Sequence, residues 1–203
     1  MKKAEYVSID PEKPDIQVIK KAAAVLKKGG IIAFPTETVY GIFANARNKK
    51  AVERLYRIKK RPKDKPFAVL INKFSELKKF NVIISPAASK MLKKYWPGPL
   101  TAILKTKEGV AMGFRMPDYK AVLTLLEYTN APLFASSANT SGEKECVDAE
   151  DILKNFKKEI DMIVDAGKSP LGMPSTVVDF TTIKPKIVRE GVISREVLLT
   201  HGF

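Results

Sequence analysis

Gly29-Gly30-Ile31-Ile32-Ala33-Phe34-Pro35-Thr36-Glu37-Thr38-Val39-Tyr40-Gly41 is the stretch from which the rest of this chain can be read. Four apolar residues, Ile31–Phe34, stand between a glycine pair and a proline. That run is too short for a helix and reads as a buried strand. Upstream, Asp15 is placed to cap a helix whose apolar face is Ile16, Ile19, Ala23 and Leu26, with Gly29 as its stop. Downstream, Ala51, Val52, Leu55 and Tyr56 give a second helix that ends before Pro62, and Phe67–Ile71 a second strand. Ser85-Pro86 opens a helix through Tyr95, closed by the turn Trp96-Pro97-Gly98-Pro99. Leu100–Lys105 and Ala111–Arg115 are strand-like, and a helix follows around Val122–Glu127. Leu133–Ser136 is a strand leading into the polar loop Ser137–Gly142, and a helix carrying Ile152, Leu153 and Phe156 comes next. Further strands are expected at Ile160–Val164, Thr176–Phe180 and Ile187–Arg189. Helices and strands alternate without a strict βαβ rhythm. The expectation is therefore an α/β (α+β) single domain, residues 1–203, with a twisted mixed sheet and flanking helices.

Composition narrows the chemistry. The 203 residues are 45% hydrophobic and 29% charged, which suits a globular protein with a sizeable core. No apolar run approaches the roughly 20 residues of a membrane span, and no signal-peptide core follows Met1-Lys2-Lys3. A cytoplasmic protein with no membrane partner is expected. There is one cysteine, Cys146, and one histidine, His201. Disulfides, cysteine-rich zinc sites and histidine-based triads are thereby set aside, and no metal site is expected. Lysine, arginine, hydroxyl, amide and carboxylate groups are left to do any chemistry.

The formal net charge is +14. Nine basic and two acidic residues fall between Lys49 and Lys65, so 17 residues carry half of that excess. Such a cluster attracts nucleotides or nucleic acid. Within it, Lys59-Lys60-Arg61-Pro62-Lys63-Asp64-Lys65-Pro66 leaves a helix, and the two prolines are expected to hold the cations along one ridge, suited to a triphosphate. No Gly-x-Gly-x-x-Gly fingerprint is present. Gly167-Lys168-Ser169 imitates the end of a P-loop, but Met162 stands where its first glycine belongs, so it reads as a turn. Thr36, Glu37 and Thr38 offer hydroxyls and a carboxylate on a loop leaving a buried strand. The loop Ser137-Ala138-Asn139-Thr140-Ser141-Gly142 offers hydroxyl and amide groups without bulk. Arg115 ends a strand as a single cation.

In this order, Pro35–Gly41, Lys59-x-Arg61-Pro62, Trp96–Thr101, Arg115-x-Pro117, Ser137-x-Asn139-x-Ser141-Gly142, Pro174–Asp179 and Arg189-x-Gly191 resemble the YrdC-like family over nearly the whole chain. The chain stops twelve residues after Gly191, which is similar to the short single-domain members. The resemblance implies a mixed α/β sheet around a basic concave cavity. It also implies a nucleotidyltransferase that condenses L-threonine, bicarbonate or CO2 and ATP into threonylcarbamoyl-AMP, releasing pyrophosphate. Mg2+ would accompany the nucleotide. The product would pass to a tRNA threonylcarbamoyltransferase complex for modification of adenosine 37 in tRNA. By the same resemblance, Lys59, Arg61, Ser137 and Asn139 fall at the catalytic signature, and Arg61, Lys65, Ser137 and Arg189 at the ATP. Thr38, Arg115, Ala135 and Ser175 fall at the threonine.

Two positions depart from the family pattern: Leu70 replaces a histidine near the threonine, and Glu145 would face phosphate with the wrong charge. Three alternatives stay open. One is a protein of this fold that binds tRNA or double-stranded RNA without synthase activity; steeply salt-dependent RNA binding and no pyrophosphate release would mark it. A second is a related enzyme that adenylates a carbamoyl group. The third is a paralogue with a drifted substrate.

Overall fold

The computed structural model describes residues 3–139 and 145–200. His201 and residues 140–142 of the polar loop lie outside them. In chain order the strands are β1 (Glu5–Ser8), β2 (Ile31–Phe34), β3 (Gly41–Asn45), β4 (Ala68–Leu70), β5 (Val82–Ile83), β6 (Leu100–Thr106), β7 (Ala111–Arg115), β8 (Leu133–Ser137), β9 (Met162–Asp165), β10 (Thr176–Asp179) and β11 (Lys186–Arg189). The helices are α1 (Ile16–Lys27), α2 (Lys49–Ile58), α3 (Pro86–Tyr95), α4 (Lys120–Thr129), α5 (Ala149–Phe156) and α6 (Arg195–Thr200), with a 3-10 helix at Phe74–Phe80.

One mixed sheet runs in the order β1-β9-β2-β3-β8-β4-β7-β6-β10-β11, and β5 pairs with β6. Pairs β1/β9, β2/β9, β4/β7 and β6/β10 are parallel; β2/β3, β3/β8, β4/β8 and β6/β7 are antiparallel. The expected mixed sheet is what the chain forms. Strands β1, β3 and β5 were not foreseen. β3 lacks strict alternation because it is buried along its whole length, with β2 and β8 on either side. β1 alternates no better, being largely exposed and held as an edge by β9.

Caps set the helices. Asp15 accepts from Gln17 N, Asn48 from Ala51 N, Ser85 from Ala88 N and Asp148 from Asp151 N. Residues of α1 and α4 pack over Phe34, Phe43 and Leu133, while α2 and α5 contribute Leu55, Ile58, Ile152 and Phe156 to a second cluster with Ile31 and Ile42. A third cluster gathers α3 residues with Leu100, Phe114 and Val178.

The end of α2 decides where the basic cluster goes. Lys60 N donates to Arg57 O and Arg61 N to Tyr56 O, the pair of bonds of a Schellman turn. Lys60 therefore sits at φ 45°, a left-handed position that glycine normally fills. This turn overturns the expected ridge of cations: Lys59 is driven inward and is 2% exposed, Lys60 points to a separate outer hollow with Arg57 and Lys158, and Arg61 turns to the main cavity. Lys60→Gly should relieve about 1 kcal/mol of backbone strain, raising Tm by roughly 2–4 °C. Thermal unfolding checks this; an unchanged or lower Tm would mean that the lysine side chain contributes more than the strain costs.

Candidate active site

A cavity of about 1000 Å³ lies on one face of the sheet. The period of two along a strand explains its floor: Gly41 and Phe43, Thr101 and Ile103, Ala111 with Gly113 and Arg115, Ala135 and Ser137, and Ser175 with Val177 and Asp179 all line it. Its lining includes four cations, Arg61, Lys65, Arg115 and Arg189, and two carboxylates, Asp64 and Asp179. Seven of the ten candidate residues line it: Arg61, Lys65, Ser137, Arg189, Arg115, Ala135 and Ser175. Lys59, Asn139 and Thr38 are buried and are not part of its lining.

At one end, the Lys59 ammonium donates to Ser137 O at 2.5 Å and to Asn139 Oδ1 at 2.8 Å, and it also bonds Asn139 O. Ser137 Oγ donates to the same Asn139 Oδ1 at 2.9 Å. The Ser137 proton is thus committed, and its lone pairs are what it offers a ligand. Arg61 is steered by Nε donating to Lys65 O (2.8 Å) and Nη2 donating to Pro66 O (3.0 Å), with its plane over the Phe67 ring. Burial pushes its guanidinium below the ordinary value. The remaining donors of Arg61 are available to an anion.

Across the cavity, Arg189 Nη2 donates to Ser175 O at 2.7 Å, with a longer bond to Ser175 Oγ at 3.3 Å. Gly191 permits that approach, since a Cβ there would sit 2.1 Å from Pro174 O. Burial lowers the Arg189 pKa, Glu145 raises it, and the charges of Arg115 and Arg61 lower it further.

The third cluster centres on Arg115, 8% exposed. Its Nη2 donates to Glu37 Oε1 at 2.7 Å and to Thr38 Oγ1 at 2.8 Å, and Asp118 N also donates to Glu37 Oε1. Thr36 Oγ1 donates to Val39 O, so in the 2.8 Å Thr36–Thr38 contact the proton must come from Thr38. Every hydroxyl proton of this loop is therefore spent internally. Arg115 is part of the cavity lining, and its Nε is buried without a hydrogen-bond partner. Sequence reading placed Glu37 only as a loop carboxylate. Its ion pair with a residue 78 positions away leaves no local signal.

The model of the Sua5/YciO/YrdC family, described as telomere recombination, matches residues 24–191. The chain belongs to this family. Among its relatives, a threonylcarbamoyl-AMP synthase of Pyrococcus abyssi is 36% identical over 187 residues, covering 88% of this chain and 55% of that protein. A putative threonylcarbamoyl-AMP synthase of Methanocaldococcus jannaschii is 37% identical over 185 residues, 86% of this chain and 87% of that one. The structure of P. abyssi Sua5 complexed with L-threonine superposes with a TM-score of 0.90 at 33% identity, covering 97% of this chain and 60% of that one. The chain thus spans little more than half the length of the P. abyssi Sua5/YciO/YrdC relative, and the family match over residues 24–191 contains the whole cavity described above. No helix among the described residues is long and apolar enough to cross a membrane.

Proposed function

We propose that this Sua5/YciO/YrdC protein is a threonylcarbamoyl-AMP synthase acting on L-threonine, bicarbonate and ATP. The observation that carries this reading is the pairing, in one cavity, of an orphaned buried Arg115 Nε with a set of further cations. A carboxylate would be held at Arg115 and a triphosphate near Arg61, Lys65 and Arg189, in the same cavity.

The reaction needs little else. The threonine amine adds to bicarbonate, forming a C–N bond and releasing water. A carbamate oxygen then attacks the α-phosphorus while the bond to pyrophosphate breaks. Two anions must meet, so the task is positioning and charge neutralisation. Arg61 and Lys65 would supply the neutralising charge and Arg115 the carboxylate anchor. Ser137, its proton already committed, would accept from the nucleotide, while Thr38 would hold the Arg115 guanidinium in place. Mg2+ is proposed to enter with the nucleotide, on its phosphates. Transfer of the product to a tRNA-modifying partner, with tRNA or double-stranded RNA as a further ligand, belongs to the same proposal, as do one domain over residues 1–203 and a cytoplasmic setting.

Pyrophosphate release from ATP and Mg2+, with threonine and bicarbonate omitted in turn, tests the reading. Release that requires both supports it; release with carbamoyl phosphate in place of bicarbonate would favour the carbamoyl-adenylating alternative. Arg61→Ala is expected to lower kcat/KM by roughly tenfold or more through lost charge stabilisation, and wild-type turnover would remove Arg61 from the site.

A further inference from the structure

Tyr40 closes the loop 35–40 that carries Glu37 and Thr38, and three segments meet on it. It is fully buried, packed in the cluster of Ile31, Ile42 and Phe67. Its backbone holds the segment of Ser137 and Asn139: Tyr40 N donates to Cys146 O, and Ala138 N donates to Tyr40 O. Its hydroxyl serves a different segment. Tyr40 Oη donates to Gly167 O at 2.8 Å and accepts from Ala166 N at 3.1 Å, with Asp165 Oδ1 3.2 Å away. Ala166 and Gly167 are not part of the cavity lining, so the hydroxyl is committed outside the cavity.

Residues 166–174 form a strap from β9 to β10, and few bonds hold it. Besides the Tyr40 hydroxyl, Ser169 N donates to Val147 O and Leu171 N to Glu37 O, both at 2.9 Å. Gly167 and Gly172 take φ values of 75° and 60°, left-handed positions at which the strap bends. Leu171 and Met173 are exposed, so apolar packing adds little to its hold. Past Gly172 the chain is fixed from elsewhere: Val192 N donates to Pro174 O and Thr176 N to Pro99 O, both at 3.0 Å. Among the described residues, the one backbone bond between the strap and loop 35–40 is therefore Leu171 N to Glu37 O, and the Glu37 carboxylate holds Arg115.

We propose, resting on the synthase reading, that Tyr40 is a positioning residue for the amino-acid substrate and that its hydroxyl acts through this strap. The hydroxyl fixes the strap at Ala166 and Gly167, and the strap fixes the Glu37 backbone through Leu171. The Glu37 carboxylate then holds Arg115 where a substrate carboxylate meets it. The nucleotide end does not depend on the hydroxyl. Ser137 and Asn139 hang on Lys59 and on the Tyr40 backbone, and Arg189 on the separately fixed Ser175. Because coupling between two sites is reciprocal, the bound amino acid in turn tightens the strap.

Tyr40→Phe keeps the ring and the backbone bonds and removes only the hydroxyl. In pyrophosphate release the KM for L-threonine should rise about tenfold, the scale of one lost buried hydrogen bond, with the KM for ATP within about twofold of wild type. A KM for ATP that rises in step, or two unchanged KM values beside a lower Tm, would leave Tyr40 a structural role alone and overturn the proposal. If the wild-type protein releases no pyrophosphate under any combination of substrates, the synthase reading fails, and calorimetry with L-threonine alone decides the positioning role. Weaker binding by the variant then sustains it, while equal affinities, or no binding by the wild type, overturn it. Should the variant not fold, hydrogen exchange at the Leu171 amide of the wild-type protein decides. Slower exchange with saturating L-threonine supports the proposal, and unchanged or faster exchange overturns it.

Discussion

Lys59→Met is expected to lower kcat/KM for pyrophosphate release about a hundredfold and to reduce Tm by roughly 6–12 °C. The ammonium is 2% exposed and serves as a shared donor for Ser137 O, Asn139 O and Asn139 Oδ1. Methionine fills a similar volume but leaves those oxygens without their donor, a loss of about 3 kcal/mol in a buried setting, or about 2–4 °C per kcal/mol in a chain of this size. Ser137 hangs on the same network through Asn139 Oδ1. A displacement of Ser137 by about 1 Å is enough for a hundredfold loss of turnover. The effect passes through Ser137, so Lys59 is a positioning residue by this geometry. Calorimetric Tm and steady-state kinetics on the same preparation check it. Lost turnover with an unchanged Tm would instead put the Lys59 ammonium in contact with substrate.

Glu37→Gln is expected to raise the KM for threonine about tenfold or more while leaving the KM for ATP close to that of the wild type. The Glu37–Arg115 pair is buried, with side chains 9% and 10% exposed. Glutamine keeps the shape and an acceptor for Arg115 Nη2 but removes the countercharge, and a buried guanidinium without one is costly. Arg115 would then turn toward water or other acceptors, and the carboxylate anchor proposed for it would be lost. A uniform fall in kcat with both KM values unchanged would contradict this division of the cavity into an amino-acid end and a nucleotide end. Glu37→Asp keeps the charge on a shorter side chain, so partial recovery of the threonine KM is expected.

Helices α1 to α5 were legible because their signals are local; α6 and the 3-10 helix at Phe74–Phe80 were not expected. Asp15, Asn48, Ser85 and Asp148 each bond a backbone N–H two or three residues on, and apolar spacing along α1 and α5 marks the buried face. Strands β2, β6, β7 and β8 were read from short apolar runs. β3 escaped because its signal is burial on both faces, and β1 because an exposed edge has none until β9 pairs with it.

The site divides in the same way. Sequence by itself determined the family, through seven motifs in order, and the inventory of groups available: cations, hydroxyls, amides and carboxylates, with the only histidine and cysteine set aside. Which of those groups face the cavity was decided only by the tertiary structure. Lys59, Lys60 and Arg61 are adjacent in the chain, yet a single left-handed residue sends them into the core, the outer surface and the cavity in turn. Glu37 finds Arg115 across 78 residues because loop 35–40 and the end of β7 meet beside the sheet. Pairing of that kind depends on strand order and register, which arise from long-range packing and leave no trace in local sequence.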